Sequence, residues 1–247
     1  MIAKKNIFIG SMFAAATLAT SSAATLTEVI GNTIVQTSSF GFTPNGSVTL
    51  DFTQFDTLSG DRVLDSVTVE VSYTKTGGRY SIDNDSGTAA TVTLTQEISA
   101  FVSSSGIVVV DLSKVGGGAI AQSGMVANSF TSVTVDANDG DDPEEYDTGV
   151  SGVSDFYRFS PASATVSDSG TMLNTGGYVG AGSFSLNVDG FQNYSSTITS
   201  GMAFASTSSP MTGFVKVTYN YTAVVPEPSS VALVGAFGAL ALLRRRR

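Results

Sequence analysis

Apolar and polar residues alternate one by one along several segments of the chain. The longest such segments are residues 67–73 and 215–221, where valine and tyrosine alternate with polar residues. Shorter segments with the same pattern are residues 48–52, 92–94, 133–135 and 184–188. A period of two places the apolar side chains on one face of a β-strand and the polar side chains on the other. These segments therefore predict half-buried antiparallel strands, with Val69 and Val217 in the core.

The residues between these segments predict turns and one further strand. The continuous β-branched run Ile107–Val110 predicts a central strand that is covered on both faces. Glycine pairs such as Gly77–Gly78 and Gly176–Gly177 predict turns, and the pattern between the two ends contains neither an amphipathic helix nor a repeat. The predicted fold class is all-β, with residues 25–225 forming an antiparallel β-sandwich or jelly-roll-like domain.

Residues 1–24 have the order of a secretory signal peptide. Lys4 and Lys5 precede the apolar run 7–19, which is followed by small residues. This run is shorter than the roughly 20 apolar residues that span a bilayer. We expect export through the inner membrane by the secretory translocon, and cleavage by signal peptidase that leaves Ala24 or Thr25 as the first residue.

Residues 226–247 form a second segment with the features of a membrane signal. Pro226, Glu227 and Pro228 precede an apolar run at 231–243, and the chain ends in Arg244, Arg245, Arg246 and Arg247. Because positive charge stays on the cytoplasmic side, the arginines orient the segment with the body of the protein outside. A helix over 231–243 rises about 20 Å, which is less than the ~30 Å hydrocarbon core. The pattern therefore predicts a short transmembrane helix and a weak anchor.

This C-terminal segment resembles the PEP-CTERM sorting signal, in which a Pro-Glu-Pro motif precedes a short hydrophobic helix and a basic terminus. The resemblance implies recognition by exosortase, an integral-membrane processing enzyme of Gram-negative bacteria that make extracellular polysaccharide. It also implies transient inner-membrane anchoring, cleavage near residues 226–228, and delivery of the body to the cell surface or extracellular space. The alternative is a simple tail anchor, which accounts for the helix and the arginines but not for the Pro-Glu-Pro.

The body carries a second resemblance, which begins in residues 52–73. Phe55–Asp56, Gly60 and Leu64 precede the alternating residues 67–71, an order similar to the opening of choice-of-anchor E domains. Residues 176–188 are similar to the glycine-rich lead into a strand in that family. The resemblance implies a β-rich exported domain with no catalytic residues to assign.

Composition excludes several kinds of chemistry and of partner. The 247 residues include no histidine and no cysteine, which excludes Ser-His-Asp triads, disulfides and metal sites built on imidazole or thiolate. Six of the 12 lysines and arginines and one of the 21 acidic residues lie in the two end segments, so residues 25–226 carry a net charge of −14. Such an acidic surface repels phosphate backbones, and we expect no nucleic-acid partner.

Carboxylates are the abundant groups with which this chain could carry out acid–base chemistry. A glycoside hydrolase needs two carboxylates roughly 5–10 Å apart across a cleft, and the sequence does not single out a pair. Ser113 and Lys114 are adjacent, but their glycine-rich surroundings favour a solvated lysine over a catalytic base. We therefore expect no enzyme activity and no catalytic residues, with a carboxylate-based hydrolase as the least favoured alternative.

The densest charge in the chain lies in residues 136–147, directly after the predicted strand 133–135. Calcium requires several oxygen ligands, and the candidates here are Asp136, Asn138, Asp139, Asp141, Asp142 and Glu144. The spacing is not that of an EF-hand, since glycine stands at the fifth position and no glutamate at the twelfth. The favoured interpretation is a solvated acidic loop whose charges keep it extended. Calcium is the sole cofactor candidate.

The function expected from these features is that of a non-catalytic cell-surface or extracellular-matrix protein associated with exopolysaccharide or biofilm. A carbohydrate-binding module, with or without calcium, is the alternative. The shape of the folded surface bears on the choice between these functions. A pair of carboxylates in a concave cleft would favour the hydrolase, whereas convex sheet faces without a lined pocket would not.

Overall fold

The computed structural model describes residues 25–43, 45–121, 125–138, 156–160, 162–197, 202–207 and 209–224. Within these residues the backbone forms β-strands joined by turns and two short 3-10 segments, and no α-helix. The strands are β1 (Leu26–Ile30), β2 (Thr33–Phe42), β3 (Gly46–Thr53), β4 (Arg62–Lys75), β5 (Arg79–Asn84), β6 (Ala90–Ser105), β7 (Met125–Val135), β8 (Phe156–Phe159), β9 (Ala164–Thr171), β10 (Ser183–Thr197), β11 (Met202–Thr207) and β12 (Met211–Ala223).

These strands form three open sheets in which every pair of neighbouring strands is antiparallel. The first sheet has the order β1-β2-β12-β4-β9, the second β3-β10-β6-β7 and the third β11-β5-β8. In the first sheet Val217 lies opposite Val69 on one side and Gln36 on the other. The all-β prediction is confirmed, and the arrangement is consistent with a β-sandwich.

The main hydrophobic core contains inward-facing residues of the first and second sheets together with residues outside the strands, such as Phe55, Val110 and Tyr178. Val69 and Val217 are both fully buried, as predicted. Phe52 stacks on Phe184 with ring centroids 5.6 Å apart, joining β3 to β10. All of the alternating segments predicted from sequence lie within strands, namely β3, β4, β6, β7, β10 and β12. Alternation is a reliable guide here because burying one face of a strand requires it.

The third sheet lies beyond a bend at which β4 passes into β5. Gly77 and Gly78 have φ angles of 70° and 87°, and the amide of Thr76 donates to the carbonyl of Pro210 at 3.0 Å. The φ angle of Gly78 favours glycine, and a Cβ there would also displace the side-chain nitrogen of Gln96, which would stand 2.6 Å away. Beyond the bend a separate small core contains Ile82, Val92, Leu94 and Val135.

The prediction of a central strand at Ile107–Val110 is wrong. Strand β6 ends at Ser105, and Gly106, with φ 94°, turns the chain away from the sheet. Ile107 is fully exposed, whereas Val110 is buried and its amide donates to the hydroxyl of Ser104 at 2.9 Å. A β-branched run favours extended backbone, but it does not determine whether a neighbouring strand is available to pair with it.

The predicted signal peptide (1–24) and C-terminal segment (226–247, with its helix at 231–243) lie outside the described residues. Within the described part of the chain, no helix combines the length and apolar content needed to cross a membrane.

Candidate functional site

An open depression of about 660 Å³ lies where strand β6 ends. Its walls come from the end of β6, from residues 109–113 and 119–120, and from Asn174 and Gly177. Gly177 approaches the backbone so closely that a Cβ would overlap the carbonyl oxygen of Val109 and stand 3.2 Å from the Cα of Val110. Glycine at this position therefore allows two distant loops to meet and shape the depression.

Asp111 is the one titratable side chain among the residues that line this depression. Hydrogen bonds from Ser113, whose amide donates to the carboxylate at 2.9 Å, hold the pKa of Asp111 below its usual range. The carboxylate is therefore ionised at neutral pH and can accept hydrogen bonds or contact a cation. Since the lining supplies no second carboxylate, it does not form the acid–base pair that glycoside hydrolysis uses.

Lys114 is not the solvated lysine that the sequence predicts. Its ammonium lies 2.9 Å from the carboxylate of Asp168 on β9, and both side chains are about one-quarter exposed. Partial burial acts to raise the pKa of Asp168, but hydrogen bonds from the amide of Ala121 and from Lys114 outweigh it and leave the pKa lowered. The ion pair ties the glycine-rich loop to β9, so Lys114 acts as a structural cation beside Ser113.

Two buried tyrosines bind the backbone of neighbouring segments through their hydroxyls. Tyr178 donates to the carbonyl of Asp111, below the depression, and Tyr219 donates to the carbonyl of Thr53, both at 2.9 Å. Burial raises the pKa of both phenols well above 10; the charge of Asp111 raises that of Tyr178 further, and Tyr178 raises that of Tyr219. Both hydroxyls therefore remain protonated donors over the whole physiological range.

These tyrosines predict a loss of stability in alkali. Above pH 10 the unfolded chain releases phenolic protons that the folded chain retains, so the free energy of unfolding falls as pH rises. Each tyrosine contributes a slope of up to about 1.4 kcal/mol per pH unit above that point. Urea unfolding at pH 8, 9.5 and 11 is expected to show this decline, and the Tyr178→Phe/Tyr219→Phe variant is expected to show a shallower one. Equal slopes for the two proteins would contradict the assignment.

The structure describes two of the six candidate calcium ligands. The amide of Asn138 donates to the carbonyl of Ser86 at 2.9 Å, and the side chain of Asn84 donates to the carbonyl of Asp136. These bonds fix the start of the acidic segment against the turn that follows β5. The remaining candidates Asp139, Asp141, Asp142 and Glu144 lie outside the described residues, and the part that is described contains no cluster of three or more acidic ligands. The calcium site stays a prediction.

Sequence reasoning missed the aromatic pair Phe101 and Phe191 on the outward face of the second sheet. Their ring centroids lie 5.7 Å apart with an interplanar angle of 74°. The alternation along the two strands could have revealed this pair. Both phenylalanines stand at outward positions, where the pattern otherwise has polar residues, and the inward positions include Ala100, Val102 and Val188. Asp111 was also missed, because residues far apart in sequence form the depression around it.

The C-terminal segment follows the last strand of the first sheet directly. Val224, the residue after β12, donates its amide to the carbonyl of Asp61 at 2.8 Å. Residues 224–247 match the family model of the PEP-CTERM protein-sorting motif. The motif implies an exported protein that is targeted to exosortase, with transient membrane anchoring before display at the cell surface. The processing residues Pro226, Glu227 and Pro228 and the arginines Arg244, Arg245, Arg246 and Arg247 lie outside the described residues.

No curated protein matches the chain. The resemblance of the body to choice-of-anchor E domains has no support from the comparisons.

Proposed function

We propose that this protein is a non-catalytic component of the cell surface or extracellular matrix, processed by exosortase and associated with exopolysaccharide. The observation that carries the proposal is the match of residues 224–247 to the PEP-CTERM sorting motif, directly after the last strand of an all-β body. A sorting motif in this position lets the body fold as a unit and reach the surface after cleavage.

The chemistry of the described residues supports a non-catalytic role. The chain has no histidine or cysteine to act as a base or nucleophile near neutral pH. Asp111 stands alone in the depression, and the ammonium of Lys114 is held by Asp168. A lysine in an ion pair is a poor general base, because the neighbouring carboxylate favours its protonated form.

The charge of the body supports an extracellular role. With both ends removed, the body carries a net charge of about −14, which favours solubility and repels other polyanions. Uncharged polysaccharide remains compatible with this surface.

Fractionation of the native cells tests the proposal. The intact mass of protein recovered with the matrix is expected to match a chain that begins at Ala24 or Thr25 and ends near residues 226–228. The amount in this fraction is expected to fall when exopolysaccharide synthesis is blocked. Recovery of the surface form with Arg244 to Arg247 still attached, or an unchanged amount without the polysaccharide, would contradict the proposal.

A further inference from the structure

The outward face of the second sheet carries two exposed aromatic rings, one on β6 and one on β10. Phe101 is 37% exposed and Phe191 is 50% exposed, and the two rings meet edge to face. They stand on neighbouring strands, with Phe101 opposite Asp189 and Phe191 opposite Ser99. Neither ring belongs to a hydrophobic core cluster, so each leaves apolar surface in contact with water.

A row of hydrogen-bonding side chains borders the two rings. The side-chain amide of Asn187 donates to the carboxylate of Asp189 at 2.8 Å, and its oxygen accepts from the hydroxyl of Thr49 at 3.3 Å. On the same face the hydroxyl of Ser185 donates to the carboxylate of Asp51 at 2.6 Å. Both carboxylates therefore already accept hydrogen bonds from neutral donors, the class of donor to which a sugar hydroxyl belongs.

The charge of this face restricts what can occupy it. Strands β3, β6, β7 and β10 contain no lysine or arginine, and they contribute the carboxylates Asp51, Glu97 and Asp189. A polyanionic glycan would be repelled by these groups. An uncharged glycan avoids this repulsion and can offer hydroxyl donors to the carboxylates.

We propose that Phe101, Phe191, Asn187 and Asp189 form a binding platform for an uncharged polysaccharide. The apolar C–H face of a sugar ring packs on the two phenyl rings, while its hydroxyls bond to the amide and carboxylate beside them. The proposal rests on the matrix association proposed above and names the surface and the class of glycan. It needs no metal ion.

The backbone beneath the platform is held on both sides. Strand β10 pairs with β3 and β6, and the amide of Asn45 donates to the carbonyl of Gly190 at 2.7 Å. A Cβ on Gly190 would overlap the ring of Phe42, so the strand packs directly on the core between Asp189 and Phe191. A rigid platform loses little conformational entropy when a chain of sugars binds.

Affinity electrophoresis tests the platform on mature protein recovered from the cell surface. Native gels containing dextran, mannan or hydroxyethylcellulose are compared with gels containing alginate as the anionic polymer and chitosan as the cationic polymer. We expect at least one neutral polysaccharide to retard the protein, and the Phe101→Ala/Phe191→Ala variant to bind it about tenfold more weakly. Phe214→Ala on the first sheet, a half-buried phenylalanine remote from the platform, is the matched control and is expected to bind normally.

Several results of this experiment would count against the platform. Equal retardation of the wild type and the double variant, with matching thermal melts, would overturn it, as would retardation by alginate or chitosan alone. Asn187→Ala provides a second variant, expected to weaken binding while both rings remain. If the protein matures and is recovered with the matrix but no neutral polysaccharide retards it, this inference fails and the proposed function stands. Retention of Arg244 to Arg247 in the surface form would instead contradict the proposed function, and the comparison of the wild type with the Phe101→Ala/Phe191→Ala variant would still test the platform.

Discussion

Replacement of Pro226, Glu227 and Pro228 with alanine is expected to stop maturation and to leave the full precursor in the inner membrane. The substitution removes the motif on which exosortase targeting depends and leaves the apolar run 231–243 and the terminal arginines intact. The helix can still insert, with the arginines on the cytoplasmic side. Fractionation and intact-mass measurement are expected to show loss of the surface form and a membrane-bound chain that ends at Arg247.

The matched control for this experiment is replacement of Ser229 and Ser230 with alanine. These serines lie between the motif and the apolar run, and the variant is expected to mature normally. If the alanine variant of the motif matured at the wild-type rate, the dependence of maturation on Pro226, Glu227 and Pro228 would be refuted. If the wild-type protein itself stayed in the membrane with Arg247 attached, the simple tail anchor would explain the segment.

Gly213→Ala is expected to cause the largest loss of stability of any single methyl addition in the first sheet. Gly213 lies opposite Tyr73 on β4 and opposite Phe40 on β2. A Cβ at this position would overlap the carbonyl oxygen of Ser72 and stand 2.9 Å from the Cα of Tyr73. Because backbone cannot move aside as a flexible side chain can, the two central strands would have to separate. We expect the free energy of unfolding to fall by about 3 kcal/mol.

Gly87→Ala is the control for Gly213→Ala. A Cβ on Gly87 has nothing within 4 Å, so the substitution is expected to change stability by less than about 0.5 kcal/mol. Urea unfolding of both variants, monitored by circular dichroism, measures the difference. Equal midpoints would show that β4 and β12 are not packed closely enough at Gly213 to exclude a methyl group.

Among the strands that the sequence analysis did not predict, β2 and β9 carry polar residues at some of their inward positions. On β2 the inward side chain of Gln36 is buried and bonds to both backbone groups of Thr53, donating to its carbonyl at 2.9 Å and accepting from its amide at 2.8 Å. On β9 the inward positions include Asp168, which holds Lys114, and Gly170, above which the Lys114 side chain packs. Polar side chains that are hydrogen-bonded in this way can be buried. In the sequence, however, they interrupt the alternation of apolar and polar residues by which a strand is identified.

Lys75 illustrates the same limit at the end of β4. Its position continues the inward phase of Val71 and Tyr73, and the side chain is fully buried. The ammonium donates to the side-chain oxygen of Gln96 at 3.0 Å and to the carbonyl of Ala162 at 2.8 Å, while burial lowers the pKa of Lys75. Partners from two other parts of the chain make this burial feasible, and a local pattern cannot anticipate them.

The sequence by itself determined the all-β class, the inward face of the alternating strands, the excluded chemistries and the C-terminal sorting motif. Each of these is a local property, because a period of two is a feature of one strand and a sorting motif is a linear segment. Tertiary structure decided which strands pair, since β12 lies between β2 and β4 although it is the last strand in the chain. It also decided that Lys114 pairs with Asp168, that Asp111 is the one carboxylate lining the depression, and that Phe101 contacts Phe191. These depend on residues distant in sequence, and alternation assigns a side chain to a face without naming its neighbour across the sheet.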